Sequence, residues 1–562
     1  MAKQEASVDE LVGMINRGEL RLPEMQRRYV WRSTRVRDLL DSLYRGYPSG
    51  AILLWETDEA VPLQEMAVSQ QTNPFQSTRL LLDGQQRLTS LSAVIRGESV
   101  KVRGRKRPIE LLFNLDHPDE LALVTEVNEE GEDDDLTDDE TDSSEDELQK
   151  RFNRMTFVVA TRKLEQLPQW VKVTDVFKTD SDAGFLKRAG VSGFDDPNYE
   201  RYSQRLARLR GIRKYIYRMD VLERTLSYDE VTEIFVRVNS LGAKLRSSDL
   251  ALARITAKWP TSLKIFEDFQ QSCTKTGFEL DLGLLLKNLI VFATGQSRFL
   301  TVGSLRLAAL QTGWTESCSG MEFALNFLKN NVGIDSPGLL SSPFMLITVA
   351  YHGYKRQYDL SPQESEQLRH WVLVANAKGR YSRGSSETLL DQDLTTLRGG
   401  GNAKELVDRL RQQVGRLDIA PEELVGRNQR SALFKTMFLA FRAAGAKDWR
   451  SQVAIALDHS GSHHRLQFHH IFPKAVLKAG YTAREADDIA NLCFIGGKTN
   501  RQISDKPPVQ YFPPLVEKAG LAAFEAQCIP TDPSFLGADA YKAFLQQRRV
   551  LVAKRLNEFL GA

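Results

Sequence analysis

The segment LQFHHIFPKAVLK, residues 466–478, carries two adjacent histidines in an apolar run that stops at Pro473. Such a run is typical of a short strand, since aromatic and β-branched residues favour strands and a proline cannot continue the ladder. Histidine is scarce in this chain, yet five of its eight histidines lie between His459 and His470. The segment is therefore the first candidate for a reactive site.

A second strand and a helix are predicted shortly after this one. The segment DDIANLCFIGGKTNRQISDKPP, residues 487–508, contains the apolar run LCFI, a glycine turn and a helix start at Lys498–Asn500. Two strands and a helix with histidines on the first strand form a ββα-metal arrangement. Hydrolysis of a phosphodiester needs a base near neutral pH and a divalent cation, and imidazole and amide groups can serve both needs.

The order His-His-Ile-x-Pro, Asn-Leu, Asn-Arg resembles the HNH nuclease family. By this resemblance His470 is the general base, while His469 and Asn500 bind the metal. Asn491 braces the loop between the strands. The phosphate contacts implied for DNA binding fall on Lys498, Arg501 and Lys506. Adjacent residues of a regular strand point to opposite faces, so both histidines can act only if the strand twists or ends there.

The alternative for this region is a solvated, histidine-rich loop with nothing bound. We favour that reading for His459, His463 and His464, which lie among Gly and Ser without the flanking motif residues. The dipeptide Asp458–His459 competes with the histidine pair, because Asp-His also occurs at this position in the family. It precedes a flexible SGS rather than a strand end and a proline, and we therefore prefer His469–His470.

A second candidate site is DGQQR, Asp83–Arg87, within RLLLDGQQRLTSLSAVIRG, residues 79–97. The pattern predicts a strand, a glycine break and a helix, which aims free backbone N–H groups at an anion. Arg87 would add a bidentate phosphate contact. The alternative is a plain strand–helix connection whose arginine pairs with a neighbouring carboxylate.

Four segments together resemble one family: RLPEMQRRYVW, GYPSG, LLLDGQQRLTSL and FVRVNSLGAKLRSSDL. It is the ParB/sulfiredoxin-like N-terminal domain of the GmrSD-type, modification-dependent restriction endonucleases, and the resemblance covers most of residues 8–255. Members of the family sense hydroxymethylated or glucosylated cytosine, or a phosphorothioate backbone. The resemblance implies a site for nucleotide binding and hydrolysis at Gln26, Arg27, Asp83, Gly84, Gln85, Gln86, Arg87, Asn239 and Asp249.

The charge of the chain is unevenly distributed. The formal net charge is only +2, but thirteen of the nineteen residues from Glu129 to Glu147 are acidic. The remainder is therefore basic, as expected of a protein that approaches a polyanion. The run at about 126–147 has too little apolar content to fold, and we predict a disordered, solvated insertion within the N-terminal domain. The alternative is that it occupies the basic DNA path when no substrate is bound.

The composition favours a cytoplasmic protein. The sequence contains no run of eighteen apolar residues, and we therefore expect no membrane span. The N-terminus lacks an apolar signal segment. The four cysteines are far apart and form no CxxC pair, which argues against a disulfide framework or a cysteine-based zinc site.

Periodicity predicts a multidomain α+β protein that is predominantly helical. The resemblance implies that residues 1–255 form the ParB/sulfiredoxin-like sensor domain, 256–400 a helical connecting region, and 401–562 the helical domain that carries the ββα-metal (HNH) motif. Within the first domain we expect a helix over 34–45, a strand at 51–55 and a helix–loop–helix over 228–255.

We expect a DNA endonuclease of anti-phage defence that uses Mg²⁺ or Mn²⁺ and is regulated by an NTP. Its partners are double-stranded modified phage DNA, the nucleotide and a second copy of itself, with no membrane involved. Two alternatives remain open: a nucleotide-dependent DNA-binding protein with an inactive HNH half, and a toxin that cleaves RNA.

Overall fold

The computed structural model describes residues 2–26, 28, 29, 31, 33–58, 61–71, 78–98, 110–118, 152–241, 246–382, 384–459, 463–478 and 480–561. Contacts divide the chain into two compact units, Met1–Thr261 and Ser262–Ala562. The acidic segment at 126–147, Arg27 and the side chain of Asn239 lie outside the described residues.

The N-terminal unit is built on a mixed six-stranded sheet. Its strand order is β1-β9-β3-β5-β2-β4, with β9 parallel to β3, β2 parallel to β5, and the other pairs antiparallel. The strands are β1 (Ala2–Ser7), β2 (Leu20–Pro23), β3 (Ile52–Thr57), β4 (Leu63–Gln64), β5 (Thr78–Asp83) and β9 (Ile216–Leu222). The expected strand at 51–55 is confirmed as β3, and the strand predicted before the glycine break in residues 79–97 is confirmed as β5.

Both faces of this sheet are buried, which explains why its central strands read as continuous apolar runs. Leu81 packs into one core with the first helices of the unit, while Leu80 and Leu82 pack into a second core on the other face. The helices of the unit are α1 (Val8–Asn16), α2 (Ser33–Arg45), α3 (Gln85–Arg96), α4 (Val173–Lys178), α5 (Ala183–Arg188), α6 (Tyr199–Arg210), α7 (Tyr228–Leu241) and α8 (Ser247–Lys258).

The helices divide between the two faces. Leucines of α2 and α3 belong to the core that contains Leu81, whereas α7 and α8 cover the face that contains Trp55. The expected helices at 34–45 and in 228–255 are confirmed as α2 and the α7–α8 pair. A smaller sheet of order β7-β6-β8 completes the unit, with β6 (Leu111–Asn114), β7 (Phe157–Val159) and β8 (Trp170–Lys172).

The C-terminal unit is mainly helical, so the prediction of a predominantly helical α+β protein is confirmed. Its first helices are α9 (Ser262–Lys275), α10 (Leu282–Thr294), α11 (Leu307–Phe327), α12 (Phe344–Lys355), α13 (Pro362–Lys378), α14 (Ser386–Arg398), α15 (Ala403–Val414) and α16 (Ala432–Ala443). One buried ion pair ties this part together: both Arg380 and Asp393 have side chains with almost no exposure, and two N–H groups of Arg380 donate to the carboxylate.

The only two strands described in residues 262–562 form a hairpin, β10 (Leu466–His470) with β11 (Leu492–Gly496). The remaining helices are α17 (Lys474–Leu477), α18 (Ala483–Ala486), α19 (Gly497–Ile503), α20 (Pro508–Ala519), α21 (Leu521–Glu525) and α22 (Tyr541–Leu560). The predicted strand–strand–helix order is present. The expected glycine turn at IGGKTN is wrong, because β11 passes directly into α19 at Gly496–Gly497.

Among the described residues, no helix combines the length and the apolar character needed to cross a lipid bilayer.

One buried histidine of the C-terminal unit has a destabilising environment. His352 on α12 is 1% exposed, and neither ring nitrogen has a hydrogen-bond partner within the described residues. Burial, assisted by the charge of Arg356, lowers the pKa of His352 from 6.5 to about 4. The folded chain therefore holds this imidazole neutral over a pH range where the unfolded chain protonates it.

We expect the stability of this unit to fall as the pH drops from 6.5 towards 4, because the unfolded state binds the extra proton in this window. Above the window the imidazole is neutral in both states, and below it the imidazole is protonated in both. His352→Leu should remove about 3 kcal/mol of that pH dependence. Urea unfolding at a series of pH values measures it, with the exposed His464→Leu as the control. Parallel curves for His352→Leu and the wild type would contradict the assignment.

Candidate active site

The β10–β11 hairpin and α19 place the predicted histidines and Asn500 together. In the antiparallel register His469 lies opposite Cys493, and His470, the last residue of β10, lies opposite Leu492. Because the strand ends at His470, the two side chains are free to reach different partners. His469 turns towards α19, and His470 turns towards the loop that precedes β11.

His469 is buried and contacts Asn500 directly. Its Nδ1 lies 2.7 Å from Asn500 Oδ1, and its ring makes edge contacts with Trp449 and Tyr511. Burial lowers the pKa of His469 to about 4, although the bond to Asn500 opposes the shift. The imidazole is consequently neutral at physiological pH, which is the state that a metal ligand requires.

The donor atoms of this pair fit a divalent cation. Neighbouring ligands of an octahedral ion lie about 3 Å apart when each is about 2.1 Å from the metal. The separation of His469 Nδ1 and Asn500 Oδ1, 2.7 Å, is close to that value. Because Nδ1 donates to the amide oxygen in this contact, a cation bound to both atoms would require the neutral imidazole to carry its proton on Nε2 instead. Within the described residues no three His, Cys, Asp or Glu side chains group as a metal site. Two protein ligands suit Mg²⁺ or Mn²⁺, which retain water and accept phosphate oxygens.

One ring nitrogen of His470 contacts a carboxylate. Its Nε2 lies 2.9 Å from Asp487 Oδ1, and the same oxygen lies 3.2 Å from Lys474 Nζ. The hydrogen bond from His470, and then Lys474, keep the pKa of Asp487 below its ordinary value. Asp487 was not anticipated from the sequence. The only signal was its place among the acidic residues just before Asn491.

The side chain of Asn491 forms hydrogen bonds with backbone groups that follow β10 and with one that precedes β11. Its side chain is fully buried, and its Oδ1 accepts the N–H of Phe472 at 2.9 Å. Its Nδ2 donates to the carbonyls of Phe472 and Ala486 at 3.0 and 2.9 Å. The end of β10 and the end of α18 are thereby joined through one amide group.

Two further side chains that the sequence did not single out support this site. Asp448 accepts hydrogen bonds from Gly496 N and Thr499 Oγ1 at the junction of β11 and α19. Burial alone would raise the pKa of Asp448, but its hydrogen bonds outweigh this and keep the pKa low. Arg548 of α22 is buried and donates to the carbonyls of Ala490 and Gln527. Both residues hold backbone that carries the candidate site.

The predicted phosphate-binding side chains lie on or just beyond α19. Lys498, Arg501 and Lys506 are all exposed, and Lys498 and Arg501 flank Asn500 in sequence. His463 and His464 are exposed as well, and His459 contacts the carbonyl of His464 through Nδ1. The three basic side chains are thus exposed and close in sequence to Asn500, and their contacts with phosphate stay a prediction.

The second candidate site lies at the β5–α3 connection. Gly84 has φ 95°, a backbone conformation that favours glycine, and α3 starts there without a side-chain cap. Arg87 donates to the carbonyls of Ser49 and Ala51 and forms an ion pair of 3.0 Å with Asp83. The Arg87 side chain is mostly buried, whereas that of Asp83 is 45% exposed. In this state Arg87 braces the turn before β3.

Hydrogen bonds of Gln86 and Gln26 connect the β5–α3 region with the QRRYVW segment, residues 26–31. Gln86 accepts the N–H of Trp31 at 3.1 Å and donates to the carbonyl of Arg28 at 3.3 Å. Gln26 is buried and donates to the carbonyl of Leu81 on β5. Gln85 is buried at the start of α3. These contacts join the segment around α3 to the QRRYVW segment.

Asn239 and Asp249 belong to α7 and α8, the helices on the opposite face of the sheet from α3. Their place in a nucleotide site stays a prediction. The same holds for Arg27, which lies outside the described residues.

A known domain family matches the N-terminal unit of the chain. Residues 8–256 match the family model of the GmrSD restriction endonuclease, N-terminal domain. The match indicates a domain of this type in residues 8–256, which make up less than half of the chain. The chain is also similar to the "Uncharacterized protein MJ0686" of Methanocaldococcus jannaschii. The two are 23% identical over 553 residues, which cover 92% of this chain and 88% of that protein.

Proposed function

We propose that the chain is a metal-dependent DNA endonuclease whose catalytic centre is the HNH-type site on β10, β11 and α19. The observation that carries the proposal is the placement of His469 Nδ1 2.7 Å from Asn500 Oδ1, with His470 next to them at the strand end. This arrangement offers a metal-binding pair and a base within one small motif.

In the proposed reaction His470 takes a proton from the attacking water. The water oxygen forms a new bond to phosphorus, the bond from phosphorus to the leaving sugar oxygen breaks, and solvent supplies a proton to that oxygen. His469 and Asn500 would hold a divalent cation, which stabilises charge on the phosphate when bound. Asn491 keeps the hairpin in place, and three exposed basic residues contact phosphates: Lys498, Arg501 and Lys506.

The N-terminal unit is proposed to bind an NTP and to sense modified DNA. Asp83 supports this, because its carboxylate is 45% exposed beside the uncapped start of α3. Backbone N–H groups there suit a phosphate, and the carboxylate suits a hydroxyl group or a bound cation of the nucleotide. A phosphate that engaged Arg87 would compete with the carbonyls of Ser49 and Ala51. Cytoplasmic location and action as a homodimer are part of the same proposal.

The test is a cleavage assay on duplexes of one sequence that carry plain, hydroxymethylated, glucosylated or phosphorothioate DNA. Each is incubated with the full-length protein and Mg²⁺, Mn²⁺ or EDTA, with and without ATP or GTP. We expect cleavage of a modified duplex only with metal. Salt-sensitive binding without cleavage would instead support a DNA-binding protein with an inactive nuclease half. Preferential cleavage of a competing RNA would support a ribonuclease.

The same assay tests the nucleotide site. Asp83→Asn is expected to weaken the response to NTP about tenfold, as loss of one hydrogen bond to a charged group would do. Its free energy of unfolding should fall by at most about 1 kcal/mol, because the ion pair is half exposed at Asp83 and Arg87 keeps its two carbonyl partners. The exposed Asp195→Asn of the same unit is the matched control. An unchanged NTP response in Asp83→Asn would remove Asp83 from the site.

A further inference from the structure

Only one of the two ring nitrogens of His470 is engaged. Nε2 contacts Asp487 at 2.9 Å, and Nδ1 makes no hydrogen bond to any residue that the structure describes. The side chain of His470 is 20% exposed, so the ring is reachable while its orientation is held by Asp487. Because a carboxylate can only accept, Nε2 must carry the proton in this contact.

Asp487 itself sits on a firmly held piece of chain. Its backbone N–H donates to the carbonyl of Ala483 at the end of α18. The preceding turn is bonded to Tyr541, whose hydroxyl donates to the carbonyl of Glu485 at 2.7 Å. On the other side, the Asp488 carboxylate pairs with Arg549 at 2.6 Å. The carboxylate of Asp487 is therefore presented by a rigid support rather than by a mobile loop.

We propose that Asp487 is a positioning residue that keeps the imidazole of His470 in the tautomer with Nε2 protonated, so that Nδ1 faces substrate with a free electron pair. This inference rests on the proposed nuclease function, and it adds a residue to that site. Asp487 does not touch the reacting atoms. It decides which nitrogen of the base can accept the proton of water.

Lys474 determines which atom of an amide side chain at position 487 would face His470, and this can be tested. Its Nζ and His470 Nε2 both approach the same oxygen, Oδ1 of Asp487, at 3.2 and 2.9 Å. A lysine can only donate, so an amide placed at position 487 would turn its oxygen, not its nitrogen, towards this pair. Asp487→Asn should therefore preserve the tautomer, whereas Asp487→Ala should release it.

The first measurement uses the full-length protein with ¹⁵N-labelled histidine at mildly alkaline pH. Signals of His470 are assigned from their loss in His470→Ala. We expect the wild type and Asp487→Asn to show Nε2 protonated and Nδ1 unprotonated, and Asp487→Ala to show a mixture of tautomers. If Asp487→Ala keeps the wild-type tautomer, the proposal is overturned.

The second measurement is the single-turnover cleavage rate, with DNA affinity measured separately in Ca²⁺. Asp487→Ala should lower the rate roughly 10- to 100-fold, a part of what a general base contributes, without weakening DNA binding. Asp487→Asn should recover most of the rate, and the exposed Asp359→Asn serves as the control. A loss that Asn does not recover, together with weaker DNA binding, would show a merely structural residue and overturn the proposal.

The two measurements separate this inference from the nuclease assignment. The tautomer of His470 is read without metal or DNA, so it reports on Asp487 even if the wild type cuts nothing. A wild type without metal-dependent cleavage would contradict the proposed function. An unchanged tautomer in Asp487→Ala, with an active wild type, would contradict only the role of Asp487.

Discussion

Replacing His470 with alanine is expected to lower the rate of DNA cleavage roughly 10²- to 10⁴-fold, the usual contribution of a general base. His470 is partly exposed at the end of β10, and its contact with Asp487 is its one hydrogen bond within the described chain. Its removal should therefore cost little stability and leave DNA binding intact. The measurement is the single-turnover rate on the best modified duplex, with binding measured in Ca²⁺.

The matched control for this variant is His464→Ala, which removes an exposed histidine from the same segment. It should cleave like the wild type. Equal cleavage by His470→Ala and the wild type would remove His470 from the role of base. Equal losses in the two variants would point to a general effect of the histidine-rich segment on folding or DNA binding.

Asn491→Ala is expected to destabilise the C-terminal unit by about 4 kcal/mol. The substitution leaves three buried backbone groups without their partner, and each such group costs about 1–3 kcal/mol. They are the N–H and the carbonyl of Phe472 and the carbonyl of Ala486. Urea unfolding of the full-length protein measures the change, and cleavage should fall with the folded fraction.

Asn330→Ala is the control, because Asn330 is an exposed asparagine of the same unit. Its unfolding free energy should lie within about 0.5 kcal/mol of the wild type. If Asn491→Ala were as stable as the wild type but inactive, Asn491 would act on substrate rather than on the hairpin. That result would contradict the bracing role.

Most local structure around both candidate sites was predictable. Apolar runs bounded by Gly and Pro marked β3, β5, β10 and β11, and leucines at helical spacing marked α2 and α3. Adjacent glycines predict a turn at IGGKTN, and the structure has none there. In the structure Gly496 closes the strand and Gly497 opens the helix, while Asp448, far away in sequence, accepts the N–H of Gly496.

The partners of the motif residues were not predictable in the same way. Arg87 was expected to face a phosphate, but in the structure it donates to two carbonyls of the turn before β3 and pairs with Asp83. The pair with Asp83 is the alternative that the sequence offered, since the two residues are four positions apart within DGQQR. The carbonyls of Ser49 and Ala51 lie on a segment that the fold brings to Arg87, and no spacing rule within DGQQR contains them. The same is true of Gln86, whose amide holds the backbone of Arg28 and Trp31.

The amino-acid sequence by itself determined the residue types and the local elements: paired histidines at a strand end, a following strand and a helix with Asn500. Periodicity and turn residues act over a few positions, so they can be read locally. Only the tertiary structure decided that His469 meets Asn500 and that His470 rests on Asp487. Those contacts depend on hairpin register and on the buried supports Asn491, Asp448 and Arg548, which come from distant parts of the chain.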